Sequence, residues 1–234
     1  MKITILPPLH SALSDGRGSD GALGGIETAC LELGDALVDR GHEVRIAGRF
    51  PEHRKARPLD WNLLAASDGD ALISCNDARV LRAGDFKARV FWSHNPLAVE
   101  KAIRKKQFGP IWAHRPHAVF GSQDAMTALS PLLRFRSRNV IPLGVTSLFE
   151  RAATNSHRGL DFAVISQAHR GLPDTCRVWR EMVNPAAPGA SLHVFGSRAE
   201  QAHMTLEAPQ AARIQFHHRP DKQEMASFMR RPPP

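Results

Sequence analysis

Gly24-Gly25-Ile26-Glu27 decides how this chain is read. A loose Gly/Ser/Asp-rich loop, Ser11 to Leu23, precedes it. Before the loop, Lys2 to Leu6 predicts a short strand, with Ile3 and Ile5 β-branched. After it, Ile26, Ala29, Cys30, Leu33, Ala36 and Leu37 recur at i, i+3, i+4, i+7 spacing, which predicts an amphipathic helix. Glu27, Glu32, Asp35 and Asp39 fall on its other faces, and Gly41 after Arg40 supplies a stop. Glu43 to Ala47 reads as a second strand. Strand, glycine loop and helix in that order leave the first helical N–H groups unpaired at the positive end of the dipole. A phosphate is stabilised there, and two adjacent glycines admit it without meeting a Cβ. A tight turn ahead of a Rossmann-type helix is the other reading of the same residues.

Further along, the first half keeps alternating. Arg49 to Pro58 is a polar, proline-bearing loop, and Trp61 to Ala66 a short helix. Ala71-Leu72-Ile73, Val90-Phe91-Trp92, Ala118-Val119-Phe120 and Asn139-Val140-Ile141 are short apolar runs separated by helical segments. That pattern predicts a parallel sheet covered on both faces. Around Pro142 to His157 it lapses, with Pro142, Gly144 and the polar run Thr154-Asn155-Ser156-His157 reading as a hinge or linker. A second series follows: strands at Phe162 to Ile165, at Leu192 to Phe195 and around Ile214 and Phe216, and a helix from Pro173 to Val183. Asp221-Lys222-Gln223-Glu224 fits a helix cap, and Pro232-Pro233-Pro234 cannot continue a helix.

The 234 residues, 42% of them hydrophobic, suffice for one large domain or two small ones. A net charge of +8, mostly from arginine, favours anionic partners such as nucleotide phosphates or acidic headgroups. No stacking repeat, zinc spacing or basic heptad helix points to nucleic acid. Cys30, Cys75 and Cys176 are far apart in sequence, an odd number without a spacing pattern. That argues against a disulfide framework or a metal site and for a reducing compartment. No signal-peptide pattern opens the chain and no run approaches the length of a spanning helix. The expectation is a soluble cytoplasmic protein. His114-x-x-His117 and His217-His218 could suggest a metal, but the first pair flanks a proline and a strand start, so none is assigned.

Met1-Lys2-Ile3, then Gly24-Gly25-Ile26-Glu27, then Arg40-Gly41-His42-Glu43-Val44 together resemble the start of retaining, GT-B-fold glycosyltransferases of family 4. Ile141-Pro142-Leu143-Gly144-Val145 resembles the Ile-Pro-Asn-Gly-Val segment that closes the N-terminal domain there, with Leu143 in place of Asn. The resemblance implies an α/β fold of two Rossmann-like units facing across a cleft. Residues 1–150 would form the acceptor-side domain and 151–234 a partial nucleotide-sugar domain. It also implies transfer of a sugar, with retention, from a nucleotide-diphospho-sugar to a sugar, glycan or lipid acceptor, without cofactor or metal. The family's Glu-x7-Glu segment has no match in this sequence. The expectation is therefore a truncated form of low or no activity.

Site residues follow from the same resemblance. Gly24, Gly25 and Glu27 belong to the donor-binding set. Arg170, in Ser166-Gln167-Ala168-His169-Arg170-Gly171-Leu172-Pro173, matches the cation before Gly171 that meets the donor diphosphate. A guanidinium there would stabilise the negative charge gathering on the leaving group; a solvated arginine near a helix start is the alternative. His94, in Ser93-His94-Asn95-Pro96, matches a histidine facing the transferred sugar, or else is a turn residue before proline. Gly121-Ser122-Gln123 ends another strand, where Ser122 contacts the donor or simply caps a helix. Glu100 to Trp112 carries Lys101, Arg104, Lys105 and Lys106 among Val99, Ala102, Ile103 and Phe108. It resembles the basic amphipathic helix by which related enzymes sit peripherally on the acidic inner membrane face, or is a solvated surface helix. Two other function classes stand beside transfer: a non-catalytic remnant or binding module, and a nucleotide-sugar epimerase.

Overall fold

The structure, a computed structural model, describes residues 1–9, 13, 23–145, 149, 160–165, 168, 170–202, 212–217 and 222–230. The loop 14–22, the linker residues 150–159, Ser166, Gln167, His169, His218, Asp221 and the final prolines lie outside them. The chain divides into two compact units, Met1–Gly144 and Val145–Pro234.

The first unit is a seven-stranded sheet in the order β3-β2-β1-β4-β5-β6-β7, and each neighbouring pair is parallel. Its strands are β1 (Lys2–Leu6), β2 (Glu43–Ala47), β3 (Arg57–Leu59), β4 (Asp68–Cys75), β5 (Asp85–Ser93), β6 (His117–Phe120) and β7 (Ser137–Val140). The chain winds outward from β1 in both directions, the doubly wound order that opens a crevice at the carboxyl ends of the strands. Strand period fixes what lies on each face. Ile3, Ile5, Ala71, Ile73 and Cys75 pack on one face with α1 (Gly25–Asp39). Leu6 and Leu72 point the other way and pack with Leu59, Leu64, Val80 and Phe86.

Helix α1 buries Cys30, Leu31 and Gly34 most deeply, so its inward ridge is rotated slightly from the expected one. Gly34 explains the rotation. A Cβ at that position would stand 2.6 Å from Ile46 Cδ1 and 3.2 Å from Ala56 Cβ. The helix lies against the sheet at the residue with no side chain. On its outer side, Asp35 accepts from Arg54 Nη1 at 2.9 Å and from the Lys55 N–H at 2.9 Å, which clamps the loop leading to β3.

Three local expectations differ. Arg49 to Pro58 is not all loop, because Arg57–Leu59 pairs with β2 as an edge strand. An edge is where a sheet tolerates a proline such as Pro58. Trp61–Ala66 is a 3₁₀ turn, begun by Asp60, whose carboxylate accepts from Asn62 N–H at 2.8 Å. Glu100 to Trp112 is two short helices, α2 (Val99–Arg104) and α3 (Phe108–His114). Lys106 between them adopts φ +57, and the side chain of Gln107 turns inward.

The second unit holds β8 (Asp161–Ile165), β9 (Ser191–Phe195) and β10 (Ile214–His217) in the parallel order β10-β9-β8. The helix Leu172–Val178 runs on through a π turn, Trp179–Val183, and Asn184–Ala186. Leu172, Cys176 and Trp179 bury against Leu192, Val194 and Ile214, and Trp179 Nε1 donates to Ala212 O at 2.8 Å. This is the 3-2-1 half of the order seen in the first unit. Among the described residues, β8 forms an edge, with Phe162 and Ile165 about half exposed.

Candidate functional site

The carboxyl ends of β1, β4 and β5 carry the groups with unspent chemistry. At the end of β1 the chain reaches α1 through Gly24, which caps the helix at φ −68 and ψ 169. Neither Gly24 nor Gly25 adopts a positive φ, so the backbone itself does not require glycine at either place. A Cβ on Gly25 would meet nothing within 4 Å. A Cβ on Gly24 would stand 2.6 Å from Glu27 Oε2. Glu27 thus folds back over the first turn, and its negative charge is favoured at the positive end of the helix.

His94 follows β5. Its ring lies 4.4 Å from Trp92, which packs in the cluster beneath α1. Its backbone N–H donates to Asn76 Oδ1 at 2.7 Å. Asn76 follows β4 and holds φ +56, a conformation that asparagine tolerates better than most residues. Its own N–H donates to Trp92 O at 2.9 Å, and its carbonyl accepts from Gln107 Nε2 at 3.4 Å. Two loops at adjacent strand ends are thereby fixed to each other and to the α2–α3 junction. His94 Nε2 and Asn76 Nδ2 are both buried without a hydrogen-bond partner among the described residues. Unpaired buried polar atoms are costly and rare, and here two come from neighbouring residues, the Asn76 side chain holding the His94 backbone N–H. Burial holds the imidazole below the ordinary histidine value, so it is neutral at pH 7, with one nitrogen to donate and one to accept.

Ser122 caps the helix α4 (Gln123–Thr127): its Oγ accepts from Ala125 N–H at 3.2 Å while the residue stays exposed. In the second unit, Arg170 is exposed and makes no side-chain hydrogen bond or ion pair among the described residues. Gly171 follows at φ +91 and caps the helix Leu172–Val178, a conformation that a side chain would strain. After β9, Ser197 has a buried hydroxyl without a partner, again among the described residues. Asn76 and Ser197 escaped the sequence reading. Asn76 had a weak signal, a left-handed-tolerant residue directly after a buried strand; Ser197 had none.

The thiols of Cys30 and Cys75, 45 residues apart in sequence, meet in the core at 3.2 Å. Both are free and fully buried, and burial, then the neighbouring Cys30, pushes the Cys75 thiol well up. They behave as core residues.

No family model matches the sequence, and no curated protein matches it. Among solved structures, the chain is similar to α,α-trehalose 6-phosphate synthase from Burkholderia multivorans, at 12% identity and a TM-score of 0.55. The likeness covers 97% of this chain and 74% of that one. At such identity it shows the fold alone, mixed α/β and similar to the GT-B type.

Proposed function

We propose that the chain is a glycosyltransferase that binds a nucleotide-diphospho-sugar and transfers the sugar, with retention, to an acceptor held by residues 1–150. The observation that carries this is the pair Gly24-Gly25: glycines that the backbone does not require, with open space over Gly25 at a helix N-terminus. The open space over Gly25 admits the close approach of a ligand. The likeness to a synthase whose name states a glycosidic product supports the class. Arg170 would take the diphosphate and Gly171 would let the loop turn toward it. Neutral His94 would exchange hydrogen bonds with a hydroxyl of the transferred sugar. Glu27 repels phosphate, so its part is to accept from sugar or acceptor hydroxyls. Ser122 keeps a free O–H to donate.

A second reading is a binding module without turnover: Arg170 and the first turn of α1 offer groups that hold a phosphate, and holding one is not by itself transfer. Both readings require nucleoside diphosphate to bind. Calorimetry on this chain and on Arg170→Ala separates them from no site at all. Loss of one charge-assisted hydrogen bond costs roughly 1.5–3 kcal/mol, or about ten- to a hundred-fold in affinity. Equal affinity in both proteins refutes Arg170 as the clamp. Product formation from a nucleotide-sugar, with the anomeric configuration read by NMR, distinguishes transfer from binding alone.

A further inference from the structure

The opposite end of the first sheet holds a cavity, about 220 Å³ in volume. That is roughly seven times the 30 Å³ share of one liquid water. Lys87 and Arg89 from the first half of β5, His114 and Arg115 at the end of α3, His117 at the start of β6 and Arg136 just before β7 line it. From Lys87 to His94 is seven residues, so this rim lies roughly 20 Å from the His94 end of the sheet. We propose that this cavity binds a phosphate group, carried either by a small soluble molecule or by a lipid headgroup. The proposal does not rest on the transferase reading.

The charge balance points to an anion. No carboxylate lines the cavity among the described residues. Lys87 is paired with Asp70 at 2.7 Å, but the arginines have no such neutraliser among the described residues. Arg89 spends its guanidinium on three backbone carbonyls, those of Leu81 at 2.6 Å, Phe86 at 2.8 Å and Gly84 at 2.9 Å. These bonds fix the group in place and leave its charge uncompensated. Arg115 and Arg136 make no side-chain hydrogen bond or ion pair among the described residues. They are brought together because Arg136 N–H donates to Pro116 O at 3.0 Å.

Arg115 sits where α3 ends, with φ +43 and ψ 59. Glycine or asparagine is the easy residue at such a helix end, and an arginine there is strained. The strain is understandable if the guanidinium is needed at the cavity mouth. Burial, then the fields of Arg89 and Arg82, holds His114 below its ordinary value. An anion among these cations would relieve that field and favour the imidazolium. His117 Nδ1 shares a hydrogen bond with Ser137 Oγ at 2.8 Å, which leaves Nε2 for a ligand.

The test is a titration of the whole chain with inorganic phosphate, followed by NMR of the His114 imidazole. Wild type should bind saturably, and the His114 titration midpoint should rise with phosphate. The double variant Arg115→Gly with Arg136→Ser should bind at least tenfold more weakly. Arg115→Gly relieves the backbone at residue 115, so its melting temperature should hold or rise, which separates lost binding from lost fold. Vesicles of phosphatidylcholine with and without phosphatidate identify the source. Flotation that the double variant loses assigns the headgroup; phosphate binding without flotation assigns a soluble ligand. Absence of saturable binding in both arms, or equal binding by the double variant, overturns the proposal.

Discussion

Two glycines of one helix make opposite predictions. Gly25 faces open space, so Gly25→Ala should raise stability by about 0.4–1 kcal/mol, through helix propensity and a less flexible unfolded chain. Gly34 faces Ile46 and Ala56, so Gly34→Ala should lower it by about 1–3 kcal/mol, because overpacking exceeds the propensity gain. Urea melts read both. A stabilised Gly34→Ala would show that the helix slides away at no cost. Glu27 offers a third residue-level test. If phosphate approaches the first turn of α1, removing the like charge with Glu27→Gln should tighten nucleoside diphosphate binding about two- to fivefold. Weaker binding would place Glu27 on the ligand as a needed acceptor. His94 supplies the pH dependence. Burial lowers its folded value, so its contribution to stability is present above about pH 6.5, the unfolded value. That contribution is lost as pH falls through the lower folded value. Between pH 7 and pH 5, His94→Asn should therefore lose less stability than wild type; an equal loss would place the acid sensitivity elsewhere.

At the scale of elements, the segment 99–114 matters most. A single amphipathic helix would present one apolar stripe, whereas α2 and α3 bury Ala102 and Ile111 and leave Ile103 and Trp112 exposed. Arg134 lies over Trp112 at 4.5 Å, and Arg104, Lys105 and Lys106 are exposed nearby in sequence. Among the described residues no helix is long and apolar enough to cross a membrane. Exchanging Lys101, Arg104, Lys105 and Lys106 for Glu should weaken flotation on anionic vesicles, at about 1 kcal/mol per basic residue. Unchanged flotation would leave a solvated surface. The break at Lys106-Gln107 was invisible in the sequence because it depends on Gln107 reaching Asn76 and Ala78, some thirty residues earlier in the chain. Local periodicity cannot report such a contact. The same holds for the π turn at Trp179–Val183, where the apolar spacing reads as uninterrupted helix.

Across the whole molecule, parallel pairing was legible from runs such as Ala71-Leu72-Ile73 and Val90-Phe91-Trp92, because strands buried on both faces need continuous apolar side chains. Edge strand β3 was not, since an edge makes little demand on its residues and Pro58 argued against pairing. Of the candidate site, the glycines, His94 and Arg170 were visible as loops after strands. The Asn76 clamp was not, because it joins two loops that meet only when β4 and β5 pair. The proposed function stands on binding of a nucleoside diphosphate by this chain, with Arg170 as the cation that meets it. Calorimetric titration of a nucleoside diphosphate into wild type, Gly25→Val and Arg170→Ala reads that binding, with melting temperatures confirming that each variant is folded. Binding to wild type should be saturable, and each substitution should weaken it, Arg170→Ala by about ten- to a hundred-fold. A Gly25→Val protein that binds as wild type does, or an Arg170→Ala protein that does, would contradict that proposal.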